Sequence, residues 1–223
     1  VSLFISSHAD AKNSDLYAER DSLMALLGKI PSDSARLEKT YELVREYTER
    51  VWCEDLIEYG RNLAVKQKNH EGEVIMLGLK ARWAMAFNDW KRVEKYMMEQ
   101  RHKALEYKCY DAYLNQIDGV IYRSSASNHY EFSWQMMKIM ENDVIALGAK
   151  GYKEYGEYVY IAKANYFFNK GEVDKCRDVV LEALNSDVKM SVYSRKELYH
   201  VLADAMLSDK HYERCVVYAD SVL

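Results

Sequence analysis

Proline and glycine are scarce in this sequence, which has one proline and nine glycines in 223 residues. Folds built from many short strands need these residues at their turns, so the scarcity argues against such a fold. Residues that favour helices, such as Leu, Ala, Glu, Lys and Met, are abundant instead. Because 49% of the residues are apolar, the chain can also fill a substantial core. The composition therefore predicts an all-α protein.

An excess of basic residues is also missing. The 31 Lys and Arg are outnumbered by 35 Asp and Glu, and the formal net charge is −4. A nucleic-acid-binding domain needs a clustered positive face. The basic residues between positions 91 and 108 are interleaved with Glu94, Glu99 and Glu106, a pattern typical of a solvated helix face. We expect no nucleic acid among the partners of this domain.

Motifs for metal binding or catalysis are absent from the sequence. The four cysteines form no CxxC pair, the six histidines are dispersed, and no HExxH, GxSxG, Walker or GxGxxG pattern occurs. His102 and Cys109 are placed to share one predicted helix face, but a metal site needs three or four converging ligands. We therefore expect no metal, no cofactor and no enzymatic activity.

Three residues are candidates for the alternative, an enzyme with a site in a groove: Asp118, His129 and His200. Asp118 also pairs in spacing with Asp111, but two carboxylates without a perturbing partner are more typical of solvated or inter-helix hydrogen-bonded side chains. The serine-rich segment Ser124 to Asn128 suggests phosphate binding. A turn with helix-capping Ser and Asn explains that segment more simply.

The stretch from Gly156 to Leu184 has the pattern of two helices joined by a tight turn at residues 169–172. Large and small residues stand at fixed places along it, in the order Tyr160, Ala164, Phe167, Gly171, Val173, Cys176, Val180, Ala183 and Leu184. This order resembles the tetratricopeptide repeat (TPR), a hairpin of two helices that buries one face against its neighbours. The resemblance implies a right-handed α-solenoid.

The same frame can be placed along the whole chain when the small residue is eighth and the turn fifteenth. The frames start at Leu37, Val74, Leu114, Glu157 and Lys196, with spacings of 37, 40, 43 and 39 residues. Second helices are predicted to begin at the seventeenth positions, Cys53, Trp90, Tyr130, Val173 and Tyr212. These spacings exceed the TPR period of about 34, so extra residues should lengthen second helices or the loops between repeats. The sequence thus predicts about five repeats, with a helix before Gly28 and Pro31 as the N-terminal cap.

The first eleven residues, Val1 to Ala11, resemble the end of a secretory signal, with a short apolar run and an Ala-x-Ala site. A disordered leader or a strand fragment is the alternative. Residues 12–223 are expected to form a single repeat domain that continues, or is followed by further domains, beyond Leu223. The cysteines do not decide the compartment, because Cys176 and Cys215 occupy equivalent repeat positions, too far apart for a disulfide.

The segment from Asp21 to Leu37, behind this leader and ahead of irregular repeats, resembles extracytoplasmic sensor regions from Bacteroidetes. In those proteins a secreted TPR-like array precedes a membrane helix and then a histidine kinase or a DNA-binding output domain. The resemblance implies a periplasmic, non-enzymatic sensor or scaffold that meets a membrane only through a segment outside this chain. A cytoplasmic TPR adaptor that binds peptides is the alternative.

In TPR proteins, defined positions of the first helices point into a concave groove. Carried over by frame, these positions select as candidate partner-binding residues Arg82, Asp118, Tyr122, Tyr158, Asn165, Phe168 and His200. Aromatic, amide and charged side chains of this kind suit a protein or peptide segment. A second copy of the chain is another candidate partner. The alternative for each residue is a side chain that only faces water or a neighbouring helix.

Overall fold

A computed structural model describes residues 17–208 and residue 210. All secondary structure in these residues is helical, which confirms the predicted all-α class. The helices are α1 (residues 17–28), α2 (Asp33–Glu46), α3 (Cys53–Lys66), α4 (His70–Ala86), α5 (Trp90–Tyr107), α6 (Tyr110–Ala126), α7 (Tyr130–Ala146), α8 (Gly148–Asn169), α9 (Val173–Asn185) and α10 (Val192–Ser208).

The chain divides into two compact units, Val1–Tyr113 and Leu114–Leu223, and the division falls within α6. In the first unit α3 packs against α2 and α4, and α4 packs against α5. In the second unit α8 packs against α7, α9 and α10. Within each unit, helices that follow each other in the sequence therefore pack together, an arrangement compatible with a helical repeat.

The second helices of the hairpins begin where the sequence frame predicts them. The first residues of α3, α5, α7 and α9 are Cys53, Trp90, Tyr130 and Val173, the seventeenth positions of the first four frames. The fifth predicted start, Tyr212, lies outside the described residues. The helix ahead of Pro31 is also confirmed, because α1 ends at residue 28.

The turn that precedes a second helix carries a residue in the left-handed region of backbone space. At the fifteenth position of the second to fifth frames, φ is 55° at Asn88, 64° at Asn128, 76° at Gly171 and 61° at Lys210. Gly and Asn adopt this region more readily than other residues, so residue type and turn geometry agree at three of the four positions. The first frame, which has Val51 at this position, lacks the feature.

The fourth hairpin, formed by α8 and α9, is built around one hydrophobic cluster. Its buried members from the predicted pattern are Tyr160, Ala164, Cys176, Val180 and Ala183, and its partly buried ones are Phe167, Val173 and Leu184. Helix α10 adds Leu198 and Leu202, which are fully buried in the same cluster. Every large or small apolar residue of the predicted pattern therefore belongs to the core of the second unit, and its removal from water stabilises the hairpin.

The extra residues at the end of the third frame lengthen the first helix of the fourth hairpin, whereas the sequence predicted longer second helices or loops. Helix α8 has 22 residues and begins at Gly148, well before the frame start at Glu157. Only Leu147 separates α8 from α7. Gly148 makes this sharp connection possible because its φ of 74° is accessible without a Cβ atom.

Only the end of the serine-rich segment is the turn that the sequence predicts, because residues 127 and 128 form a turn and Ser124 and Ser125 do not. Helix α6 continues to Ala126, and Ser124 and Ser125 are fully buried within it. Their hydroxyls donate hydrogen bonds to the carbonyl oxygens of Ile121 and Tyr122, at 3.1 and 2.9 Å. For Ser124 and Ser125 the prediction was wrong, because a serine inside a helix can satisfy its hydroxyl on the preceding turn and need not cap a helix.

Several predictions concern residues outside the described part of the chain, namely the signal-like segment 1–11 and the thiol of Cys215. Cys176, its predicted equivalent, is buried, and burial raises the pKa of its thiol to about 12.

Of the helices in residues 17–208, none combines the length and the apolar character needed to cross a bilayer.

Candidate functional site

A pocket of about 330 Å³ opens in the second unit, between α6, α8 and the beginning of α10. The residues that line it are Asn115, Asp118, Gly119 and Tyr122 from α6; Glu157, Tyr158, Ile161 and Asn165 from α8; and Ser191, Tyr193, Ser194 and Glu197 around the start of α10. The lining residues of α6 are mostly three, four or seven positions apart. Those of α8 have nearly the same spacings. Each helix therefore presents one face to the pocket.

The two longer walls of the pocket are joined at their carboxyl ends by Asn169, the last residue of α8. Its Nδ2 donates a hydrogen bond to Oγ of Ser125 at 2.8 Å and approaches the carbonyl oxygen of Tyr122 at 3.4 Å. The hydroxyl of Tyr130 donates to the carbonyl oxygen of Asn169 at 3.0 Å. The bonds from Asn169 hold the Tyr122 end of α6 beside α8, and the buried Ser125 thereby helps to position a wall of the pocket.

The third wall is fixed to α8 by a backbone contact. The amide nitrogen of Ser191 donates a hydrogen bond to Oε2 of Glu157 at 2.8 Å. The hydroxyl of Ser191 then accepts a hydrogen bond from the amide nitrogen of Ser194 at 3.0 Å, the arrangement of an N-terminal helix cap. Glu157 thus connects the start of α10 to the middle of α8 and keeps Tyr193 and Glu197 at the pocket.

Asp118 is half-buried, and its Oδ1 atom is shielded from solvent and accepts no hydrogen bond. Burial, followed by the negative charge of Glu197, raises the pKa of this carboxyl to about 7. The expectation that Asp118 has no perturbing partner and is solvated or hydrogen-bonded between helices was therefore wrong in its premise, because burial and Glu197 perturb its pKa. A carboxyl with this pKa is present in both protonation states near neutral pH, a property often found in functional sites.

Asn165 and the tyrosines give the pocket its other binding groups. The Asn165 side chain is only 4% exposed although it lines the pocket, so its amide is directed into a mostly enclosed space. Tyr122 and Tyr193 are 47% and 74% exposed and stand at the outer part of the lining. The arrangement combines a deep amide and carboxyl with an aromatic rim, which suits a ligand that has an apolar body and a polar end.

The electrostatic character of the pocket is acidic. The described residues that line it include three carboxylates, Asp118, Glu157 and Glu197, and no Lys, Arg or His. One oxygen of Glu157 is engaged by the Ser191 amide, whereas Oδ1 of Asp118 has no partner. A cation inside the pocket would therefore meet a carboxyl oxygen that no group of the protein satisfies.

Four of the seven predicted partner-binding residues line this one pocket: Asp118, Tyr122, Tyr158 and Asn165. The other three lie elsewhere. Arg82 is a half-buried residue of α4 in the first unit. Phe168 packs against the hydrophobic cluster of α8, α9 and α10. His200 is exposed on α10, with its Nε2 3.6 Å from Oδ2 of Asp204.

The three candidates for a catalytic site do not converge. Only Asp118 lines the pocket, while His200 faces solvent and His129 is the residue that precedes α7. No group of three or more His, Cys, Asp or Glu side chains in the described residues is placed to hold a metal ion.

Sequence reasoning missed several lining residues, and for two of them a signal was present. Asn115 and Glu197 occupy the second position of the third and fifth frames, the position that Tyr158 occupies in the fourth. The frame could therefore have selected them. Ser191 and Tyr193 stand ahead of the fifth frame, where no helix periodicity applies, and they reach the pocket because the chain between α9 and α10 returns to α8.

A second concavity, of about 570 Å³, is more open and lies on α7, α8 and the start of α9. Its aromatic rings already have cations of the chain above them: Lys138 lies 5.0 Å from the Trp134 ring centre, and Lys175 lies 5.6 Å from that of Phe167. Lys175 is also paired with Glu172 at 2.6 Å. Because its charges and rings satisfy each other, this concavity is a weaker candidate for a ligand site than the acidic pocket.

The candidate site therefore depends on the chemistry of the acidic pocket, in which an unpartnered carboxyl oxygen and a buried amide face a small aromatic-rimmed space. Its walls come from three helices whose order along the chain follows the repeat frame.

Comparison with known proteins gives the chain no family, because no protein-family model matches it and no curated protein or solved structure is significantly similar to it.

Proposed function

We propose that this chain is a non-enzymatic, extracytoplasmic sensor or scaffold domain that binds a peptide segment of a protein partner in the acidic pocket. The observation that carries the proposal is the convergence of Asp118, Tyr122, Tyr158 and Asn165 on one pocket. These residues come from two helices and were selected by their positions in a repeat frame. A deep polar end and an aromatic rim match the anchor pockets by which short peptide segments are recognised.

The proposed architecture is a right-handed TPR-like α-solenoid of about five hairpins with α1 as its cap. Two features that recur within the units support it. Second helices begin at the same frame position four times, and in three of those hairpins a left-handed residue at the turn position stands two residues before the helix. Repeat arrays of this kind usually work by binding other proteins, since stacked hairpins offer extended surfaces and no preformed catalytic centre.

The proposed role in signalling has two parts. The signal-like segment 1–11 supports a position outside the cytoplasm, and the resemblance to extracytoplasmic sensor regions supports an output domain after residue 223. Peptide binding would shift the array between two curvatures, or between single and paired arrays, and so alter the downstream segment. The complete reading frame decides this part: a signal sequence and a downstream membrane helix support the sensor, and their joint absence supports the cytoplasmic adaptor.

Peptide binding can be tested by selection from a library of random linear peptides on the immobilised chain. Selected peptides should bind in fluorescence anisotropy, and Asn165→Ala should weaken binding about fivefold or more, because a buried amide in a polar pocket contributes about 1–3 kcal/mol. The matched control is Asn185→Ala, which removes an amide that only bonds to Leu181 of its own helix. Failure to select any binding peptide, or equal effects of the two variants, would contradict the proposal.

One observation favours a second candidate function. A carboxyl with a pKa of about 7 in a pocket is also what general acid–base catalysis requires, so Asp118 could serve an enzyme. A screen of ester, glycoside and phosphoester substrates tests this alternative. Turnover that disappears in Asp118→Asn supports the enzyme, whereas turnover that persists in that variant excludes Asp118 as its acid or base.

A further inference from the structure

We propose that the acidic pocket takes an organic cation, the alkylammonium or guanidinium group of a Lys or Arg side chain in the bound peptide, with Asp118 as its counter-ion. This inference rests on the proposed function and names the chemistry of the residue that enters the site. It follows from the charge of the lining, the lack of a hydrogen-bond partner for Oδ1 of Asp118, and the aromatic rim.

Two other enclosed carboxylates in the described residues, Glu141 and Glu73, show how a buried negative charge can be paired. Glu141, whose side chain is 14% exposed, is paired with Lys163 and with Lys138. Glu73, whose side chain is 8% exposed, has the guanidinium of Arg61 at 3.7 Å. An enclosed carboxylate without a cation is unfavourable, because burial penalises its charged form.

Asp118 departs from this rule. Its Oδ1 is shielded and accepts no hydrogen bond, and the charge that perturbs its pKa, that of Glu197, is negative. The rest of the lining supplies no cation, since the described residues around the pocket include no Lys, Arg or His. Since none of the described lining residues supplies a positive charge, a bound ligand can supply it, and the open side of the pocket gives the ligand access.

The remaining lining fits the shape of a basic side chain. Tyr122, Tyr158 and Tyr193 line the pocket, and tyrosine faces attract ammonium and guanidinium groups. Ile161 offers an apolar contact for a methylene stem, and the Asn165 amide can accept a hydrogen bond from the cationic head. The volume of about 330 Å³ is small for a ligand pocket and suits one side chain rather than an extended molecule.

Such a site couples binding to pH. The titratable and charged groups that face Asp118 are Tyr122 on its own helix, Glu157 and Tyr158 on α8, and Tyr193 and Glu197 at the start of α10. A cation favours the ionised form of Asp118, so binding releases a proton from a carboxyl whose pKa is about 7. The affinity for a cation should therefore rise with pH through this range, whereas the affinity for a neutral ligand should not.

The test uses NMR titration of the full chain with N-acetyl-lysine amide and N-acetyl-arginine amide. Their uncharged counterparts, N-acetyl-norleucine amide and N-acetyl-citrulline amide, are the matched control ligands. We expect the cationic probes to bind at the pocket, and to bind roughly tenfold or more tightly at about pH 8 than at about pH 5.5, because the competent ionised fraction of Asp118 grows over this range. Binding of the uncharged probes with equal affinity, or affinity that does not change with pH, would overturn the inference.

Variants provide a second, independent readout. Asp118→Asn keeps the size of the side chain and removes its charge, so it should abolish the preference for the cationic probes. Asp187→Asn, which neutralises a carboxylate with 84% side-chain exposure near Lys153, should leave that preference intact. Equal behaviour of the two variants would overturn the assignment to Asp118. Circular dichroism confirms that each variant is folded, and the comparison of charged and uncharged probes on the unaltered chain does not depend on any variant.

The outcomes separate this inference from the proposed function. If a selected peptide binds but tolerates norleucine in place of each Lys or Arg, peptide recognition stands and the cation site is rejected. If N-acetyl-lysine amide binds in the expected way but no peptide does, the cation site stands and peptide recognition is rejected.

Discussion

Asp118 on α6 and Glu197 on α10 line the same pocket, and the negative charge of Glu197 adds to the effect of burial on the Asp118 carboxyl. Burial is the larger of the two causes, and together they raise the pKa of Asp118 to about 7. A negative charge in so small a space disfavours the ionised form of the Asp118 carboxyl.

The Glu197→Gln variant should therefore lower the pKa of Asp118 while leaving it well above the usual range of an aspartate, since burial remains. Carboxyl NMR of the chain labelled at aspartate measures this directly. A pKa that returns to the ordinary aspartate value in the variant would show that the charge of Glu197, not burial, is the main cause.

The Asp118→Asn variant should be more stable than the unaltered chain at and above neutral pH. The pKa of Asp118 is raised from 3.8 to about 7 on folding, so its contribution to stability is favourable below about pH 4 and is lost as the pH rises to about 7. At one pKa unit per 1.36 kcal/mol, the stabilisation of the variant should reach up to about 4 kcal/mol above pH 7. Urea unfolding at several pH values checks the sign: a difference that shrinks as the pH rises would contradict it.

Asp118 also illustrates which features of the site the sequence predicts and which it does not. The frame selected Asp118 as a groove residue, because helix periodicity places residues on faces. Its burial and its unpartnered oxygen depend on the return of the chain through Ser191 to α8, a contact between residues 34 positions apart. No local pattern encodes that contact. That Asp118 faces a groove was therefore predictable from the sequence. The burial of its carboxyl group and the lack of a partner for Oδ1 were not.

The ion pair between Lys163 on α8 and Glu141 on α7 should stabilise the second unit. Burial disfavours the ionised form of Glu141, but hydrogen bonds from Lys163 and Lys138 lower its pKa overall. Lys163→Met should destabilise the chain by about 1–2 kcal/mol at neutral pH, since it leaves a mostly buried carboxylate with one cation.

Because the pKa of Glu141 is lowered on folding, this contribution is present above its unfolded value of 4.5 and is lost as the pH falls through the folded value. The effect of Lys163→Met in urea unfolding should therefore fade in acid. The control is Lys39→Met, which removes an exposed pair with Glu42 and should leave stability unchanged within error. Equal effects of the two variants would refute a special role for the α7–α8 pair.

The turn before α9 should require its glycine. Gly171 has a φ of 76°, and a Cβ atom there would meet no neighbour within 4 Å, so only backbone strain opposes a side chain. Gly171→Ala should destabilise the chain by about 1 kcal/mol. Gly119, inside α6, also has open space but lies in a helix, and Gly119→Ala should stabilise by about 0.5–1 kcal/mol. Thermal unfolding distinguishes the two, and the same sign for both would contradict the assignment of the turn.

Helix starts and turns were the most predictable part of the fold. Trp90, Tyr130 and Val173 begin their helices two residues after a left-handed residue, and the sequence marks that residue with Asn or Gly. The length of α8 was not predictable in this way. Gly148 allows an immediate re-entry into helix after α7, and the TPR frame assigns no such connection.

The central claim is that a peptide segment binds in the acidic pocket of the second unit. Its most direct test is amide NMR mapping of a library-selected peptide on the isotopically labelled chain. The account predicts that the largest shifts fall at residues 115–122, 157–165 and 191–197, and that they vanish in Asn165→Ala. Shifts centred instead on Tyr130, Trp134 and Phe167, the aromatic concavity of α7 and α8, would contradict it.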